Sequence, residues 1–133
     1  MNNFDFYNLL DKPSYAPDKK VFGRVWALLY FLLFISFLNL YFQPLSILKI
    51  LGILLFSLQF LLNLSWVPVF FKLRKIKLAF IICLVLLITV ILMTILFFRL
   101  SVILGILQIP YIFWLIIATK LNYDIMNMNL QSS

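Results

Sequence analysis

Residues 80–98 read F-I-I-C-L-V-L-L-I-T-V-I-L-M-T-I-L-F-F, a run without a single charged side chain. A helix rises 1.5 Å per residue, so this run, carried back to Ile76, is long enough to cross a hydrocarbon core of about 30 Å. Its most polar members are Thr89 and Thr94, which can bond their own helix backbone, and Cys83, which reads as a small buried or lipid-facing hydrophobe. The run has few features beyond its apolarity and reads as packing and lipid-facing surface. Working outward, three more apolar stretches flank it, at about 21–42, 46–71 and 101–126. The expected fold is therefore all-α: a polytopic membrane bundle with four transmembrane helices in one domain spanning 1–133.

Composition agrees. The 133 residues are 65% hydrophobic and 11% charged, with a mean hydropathy of +1.13. A soluble domain is about 45–50% apolar and about 25% charged. No soluble core could hide this much apolar surface, so the solvent is lipid. The first twenty residues lack an apolar h-region and carry Asp5, Asp11 and Asp18, so no cleavable signal peptide is expected and the first span acts as the insertion signal.

The net charge of +7 raises the question of nucleic acid, but its distribution points to membrane topology. Four spans place the N-terminus, the 72–77 loop and the C-terminus on one side. That side holds Lys12, Lys19, Lys20, Arg24, Lys72, Arg74, Lys75, Lys77 and Lys120, against Lys49 and Arg99 on the other. The bias predicts that both termini and the 72–77 loop are cytoplasmic, with membrane lipid as the partner of the basic side and no nucleic acid.

Absent residue types exclude several chemistries. There is no histidine, which removes the commonest metal ligand and general base. The four acidic residues, Asp5, Asp11, Asp18 and Asp124, all lie in flanks or at the last helix end, so carboxylate-driven proton or cation coupling has no carrier within the membrane. With three glycines there is no glycine-rich phosphate loop,. No metal, cofactor or acid–base catalytic residue is expected. An enzyme on this chain would have to work with aromatic and neutral polar groups.

The informative positions are the aromatic and polar ones inside the spans. Membrane tryptophan usually marks the headgroup interface, yet Trp26, Trp66 and Trp114 each sit within an apolar run. Trp26 and Tyr30 are four apart and share a face. Gln59, Asn63 and Trp66 follow i, i+4, i+7 spacing and also share one. Polar groups in lipid need partners, so that second face points into the bundle, either as interhelical glue or as the wall of a pocket. Pro44 suits a helix start, Pro68 should kink the second span, and Phe70 with the residues after it marks the membrane boundary. In the fourth span Pro110 should bend the helix. Tyr111, Trp114 and Ala118 lie on one side, Leu121 and Asn122 follow a turn later, and small Ala118 leaves room beside Trp114. Residues 1–20 are a polar flank whose D-K-P-S-Y-A-P-D-K-K either folds back over the membrane mouth or is a solvated tail.

Three blocks, in this order, resemble the TspO/translocator-protein family of tryptophan-rich sensory proteins, also called peripheral benzodiazepine receptors. Y-N-L-L-D-K-P-S-Y-A-P-D-K-K-V-F-G-R-V-W-A-L-L-Y is similar to the family's K-P-x-W-x-P-P loop and the opening of its second helix. Q-F-L-L-N-L-S-W-V-P-V-F-F is similar to its Asn-x-x-Trp-x-Pro helix, and P-Y-I-F-W-L-I-I-A-T-K-L-N to its Ala-Thr-x-Leu-Asn helix. The resemblance covers about Phe6 to Asn127. It implies a five-helix membrane bundle, of which this chain lacks the counterpart of the first helix, and a pocket capped by the loop. It also implies porphyrin-like or other flat hydrophobic ligands, bound by Tyr15 and Pro17 of the loop with Trp26, Asn63, Trp66, Trp114, Ala118 and Leu121. Lys19, Lys20 or Arg24 would pair with ligand propionates at the mouth. A receptor or carrier for tetrapyrroles is the leading expectation. Light-dependent porphyrin degradation, with indole as the electron donor, and a non-catalytic regulatory role are the alternatives.

The chain departs from the family pattern in four further ways. Arg24 stands where proline is common, and Tyr15 where tryptophan is common. Gly52 has Phe56 four residues on rather than a second glycine. The homodimer that the resemblance implies loses support from that change and from the lacking helix. Tyr123 has no Lys or Arg in the next five residues, so the short sterol-recognition pattern is missing and tetrapyrrole is favoured over sterol.

Overall fold

Hydrocarbon offers no partner to a backbone N–H or C=O, so a spanning chain must satisfy its backbone within each segment. The computed structural model describes residues 19–73 and 75–128, and among them every regular element is helical. The order is α1 Lys19–Tyr41, α2 Ile47–Val67, a π-helical turn Pro68–Lys72, α3 Ile76–Leu100, α4 Val102–Ile106 and α5 Ile109–Met128. Four stretches are long and apolar enough to cross a membrane: Lys20–Tyr41, Ile47–Phe70, Ile76–Leu100 and Val102–Met128. Tyr15 and Pro17 lie outside the described residues.

Each break between spans has a local cause. After α1, the ammonium of Lys49 donates to the carbonyls of Tyr41 at 2.7 Å and Gln43 at 2.9 Å. A cation thereby closes a helix C-terminus whose last carbonyls have no intrahelical donor. The N-cap of α2 is Ser46, whose hydroxyl accepts from the Lys49 N–H at 3.1 Å. Pro44 falls in the preceding turn rather than at the helix start.

Pro68 does more than kink α2. It has no N–H for the carbonyl of Leu64, and its ring crowds that oxygen. The helix widens into a π turn, closed by Leu73 N–H to Pro68 O at 2.9 Å. The wider turn carries Phe70 inward, where it is buried against Trp66 with ring centroids 5.4 Å apart. Phe70 is thus a core residue, not the interfacial marker its place beside the basic loop suggested.

The fourth span is broken rather than bent. It stops after Ile106 and restarts at Ile109, with the Gln108 carbonyl accepting from Ile112 N–H at 3.0 Å. Pro110 lies in the first turn of α5, where an N–H would have no partner to lose. Ser101, extended at φ −164°, turns the chain between α3 and α4. Short α4 folds back so that Gly105 lies on the Phe98 ring.

The run at 80–98 proves to be the hub. α3 packs most extensively against α2 and α5 and buries Ala79, Cys83, Leu86, Val90, Met93 and Phe97. Those positions alternate four and three apart, the spacing of a helix seam facing neighbouring helices. Its other face is exposed to lipid, as the apolar run implied. Thr89 and Thr94 bond the carbonyls of Val85 and Val90 at 2.8 and 2.7 Å. Cys83 is buried with its Sγ 3.1 Å from the Thr119 hydroxyl. Gly52 lets α2 approach closely: a Cβ there would meet Leu96 at 3.2 Å and Leu40 and Phe97 at 3.3 Å.

A methyl at Gly105 has no such tolerance, because its carbon would overlap the Phe98 ring. Gly105→Ala is expected to cost about 1–3 kcal/mol, the range for overpacking. Thermal unfolding in detergent followed by circular dichroism should show a lowered midpoint. The double variant Gly105→Ala/Phe98→Leu should recover most of it; no recovery would locate the strain elsewhere.

Candidate functional site

Three helices deliver the site. Phe22, Trp26 and Tyr30 stand four apart on α1 and form one stripe. Gln59, Asn63 and Trp66 form the matching stripe on α2, continued by Phe70 in the π turn. α5 supplies Tyr111, Trp114, Ala118, Leu121 and Asn122, all buried. The three tryptophans converge. Trp26 lies 6.2 Å from Trp66 and 6.2 Å from Trp114 between ring centroids, the latter pair edge to face at 88°.

At the centre is a ring that the spacing argument for the tryptophans passed over. Phe22 is 3% exposed. It stacks on Trp66 at 6.1 Å and 9° and meets Trp114 edge-on at 5.5 Å and 76°. Both are favourable aromatic geometries. The space next to it is lined by Phe22, Trp66, Phe70, Ala118, Leu121, Asn122 and Ile125, and it has no room for a water molecule. The room left by Ala118 is therefore taken up on the Trp66 side, with Phe22 closing it. The signal for Phe22 was available, since it is one turn before Trp26 on the same stripe.

The polar groups separate into used and unused. Asn63 ties the three helices together: its Oδ1 accepts from the Tyr30 hydroxyl at 2.5 Å and its Nδ2 donates to the Tyr111 hydroxyl at 2.7 Å. Tyr111 in turn donates to Gln59 Oε1 at 2.7 Å. Trp66 Nε1 donates to Asn122 Oδ1 at 2.9 Å, and Asn122 Nδ2 donates to the Ile76 carbonyl at 3.1 Å. A second knot lies below, where Gln108 Nε2 donates to the Ser36 hydroxyl at 2.7 Å. By contrast, the indole N–H groups of Trp26 and Trp114 are buried without an acceptor among the described residues.

The lining is neutral. Among the described residues no three His, Cys, Asp or Glu side chains gather where they could hold a metal ion. Lys20 and Arg24 are exposed on the first turns of α1, on either side of Phe22 in sequence. The site thus offers aromatic faces and two free indole donors, with cations outside. Of the sequence-derived candidates, Trp26, Trp66 and Trp114 touch one another through their rings or through Phe22. Ala118 and Leu121 border the closed space beside Trp66. Asn63 is present with its amide committed to two tyrosines.

A family model described as the TspO/MBR family matches residues 1–128. The chain belongs to the TspO/MBR family. Among curated TspO/MBR relatives, the tryptophan-rich protein TspO of Chlorobaculum tepidum is 32% identical over 126 residues, 93% of this chain and 79% of that protein. The tryptophan-rich sensory protein of Cereibacter sphaeroides is 30% identical, covering 94% and 77%. Protein CrtK of Rhodobacter capsulatus is 28% identical, covering 93% and 78%. Together with four apolar helices of spanning length, this membership makes the chain an integral, multi-pass membrane protein.

The Trp66–Asn122 bond gives the site a measurable internal support. Asn122→Leu removes the acceptor and leaves a buried indole N–H unpaired. An interhelical hydrogen bond in a membrane protein is worth about 0.6–2 kcal/mol. A double-mutant cycle of Asn122→Leu with Trp66→Phe, read from denaturant unfolding in micelles, should show a coupling of that size. Additive effects would mean the bond contributes nothing.

Proposed function

We propose that this chain binds a flat, largely apolar aromatic ligand of the tetrapyrrole class between α1, α2 and α5, as a receptor or carrier. The observation that carries the reading is the pairing of three convergent tryptophan rings with two buried indole N–H groups that have no acceptor among the described residues. Faces of this kind supply apolar area and ring stacking. Unpaired buried donors cost free energy until something accepts from them. Phe22 occupies the position of a ligand ring: it lies parallel to Trp66 and edge-on to Trp114. A tetrapyrrole would displace Phe22 and take over its stacking. Lys20 and Arg24, exposed beside it, would meet the propionates.

In this reading Trp26, Trp66, Trp114, Ala118 and Leu121 line the site, Asn63 holds the tyrosines behind it, and Tyr15 and Pro17 belong to a cap over its mouth. The charge bias supports a cytoplasmic mouth, with the 72–77 loop and both termini on that side.

Protoporphyrin titration followed by tryptophan fluorescence tests the proposal. Saturable quenching is expected. Trp26→Phe and Trp114→Phe should each weaken binding about 3–10-fold, equivalent to about 0.7–1.4 kcal/mol. Phe22→Ala should strengthen binding or speed association, because no ring has to leave. Equal affinity in all three variants and the parent would sink the site assignment. Absence of saturable quenching would sink the ligand class.

A further inference from the structure

Two glutamines in the interior each keep one end of the amide unpaired. Gln59 on α2 and Gln108 at the head of α5 are both 0% exposed. Among the described residues Gln59 Nε2 has no acceptor and Gln108 Oε1 has no donor. Their other ends are engaged. Gln59 Oε1 accepts from the Tyr111 hydroxyl at 2.7 Å. Gln108 Nε2 donates to the Ser36 hydroxyl at 2.7 Å and to the Leu104 carbonyl at 3.2 Å.

The two loose atoms belong to one layer of the bundle. Tyr30, Asn63 and Tyr111 are joined by hydrogen bonds and mark a common level on α1, α2 and α5. From that level toward the α1–α2 turn, Ser36 is six residues away, Gln59 four and Gln108 three. At 1.5 Å per residue these are rises of about 9, 6 and 4.5 Å, all in one direction, so the three residues differ in level by less than about 5 Å. Gln59 reaches across to α5 and Gln108 across to α1. Both amides therefore lie in the space enclosed by α1, α2 and α5.

Their partners set how the amides are turned. Leu104 offers a carbonyl, so the Gln108 atom facing it is the donor Nε2, and Oε1 is the end left over,. The Tyr111 hydroxyl accepts from Asn63 Nδ2, so its own proton needs an acceptor, which is Gln59 Oε1. Reversing Asn63 and Gln59 together would only exchange the loose donor for a second loose acceptor. Ser36 is also 0% exposed, so whatever completes the layer is small enough to sit inside the bundle. A cation is repelled by the N–H and an anion by the C=O. Water donates and accepts, and it serves either arrangement.

We propose that one water molecule is bound in this layer as part of the fold, accepting from Gln59 Nε2 and donating to Gln108 Oε1. The bridge turns two separate knots into one circuit. It starts at the Tyr30 hydroxyl on α1 and passes through Asn63, Tyr111 and Gln59. It then crosses the water to Gln108 and returns to α1 at Ser36, whose hydroxyl donates to the Leu32 carbonyl at 2.7 Å. The helix so fastened at two levels is the one that carries Phe22 and Trp26 to the other rings. The bridge is independent of what those rings bind.

The chain has four glutamines, Gln43, Gln59, Gln108 and Gln131, so labelling glutamine side chains with 15N in the full chain in micelles gives a short spectrum. A water-selected NOE measurement should show a long-resident water at the Gln59 side-chain amide. Gln108→Leu removes the acceptor and leaves Gln59 and Tyr111 in place, and the cross-peak should vanish. Because Gln108→Leu also gives up the bond to Ser36, a crystal structure of the unaltered chain is the second measurement. It should show one density peak within about 2.7–3.2 Å of both atoms. No cross-peak in the unaltered chain overturns the proposal. So does one that survives Gln108→Leu, which would come from the exchanging Tyr111 hydroxyl, and so does a crystal structure in which the two amides touch directly.

Discussion

A polar side chain inside a membrane has no water to fall back on, and this bundle is arranged around that constraint. Asn63 is the clearest case. Placed on the lipid face of α2, its amide would lose every partner; turned inward, it engages α1 through Tyr30 and α5 through Tyr111. Van der Waals packing between apolar helices gives little preference for one rotation over another, because lipid tails are as apolar as leucine. The Asn63 bonds, with Trp66–Asn122 and Gln108–Ser36, select the rotation that brings the tryptophans together. Serines on the lipid side obey the same rule differently. Ser57 and Ser65 bond carbonyls one turn back, at Ile53 and Leu61, and need no neighbour.

The same constraint explains what could be read from the sequence. Span number and the inward face of Gln59, Asn63 and Trp66 were legible because polar groups in an apolar run have few places to go, whereas the convergence of the tryptophans was implied by the family resemblance. The inward face of α3 was not legible. Its residues Ala79, Cys83, Leu86, Val90, Met93 and Phe97 differ little in polarity from their lipid-facing neighbours, so no periodicity separates them. Phe22 and Phe70 were missed for a related reason. Phenylalanine is at home in lipid or in a core, and only the stripe it shares with Trp26, or the π turn after Pro68, decides between them.

The prolines illustrate how one chemical fact gives different outcomes. Pro68 and Pro110 each lack an N–H. At Pro68 the helix has already run for about six turns, and its backbone ladder adjusts by widening,. At Pro110 the chain can stop and begin again, since Gln108 is able to open a new helix. A sequence shows that a ladder is interrupted. Whether it widens or restarts depends on what packs on either side: Trp66 and Phe70 in one case, Ser36 and Leu104 in the other.

Lys49 makes the first helix a lever. It fastens the Tyr41 end of α1 to the start of α2, whereas the body of α1 has few close backbone neighbours. Phe22 lies nineteen residues from that fastening, about 28 Å along the axis. A tilt of about 5° about the fastened end displaces Phe22 by roughly 2.4 Å, yet moves Phe37, one turn from the pivot, by only about 0.5 Å. Small rotations of α1 therefore act most on Phe22 and Trp26, at the site end of the helix, and leave the turn beside Lys49 nearly still.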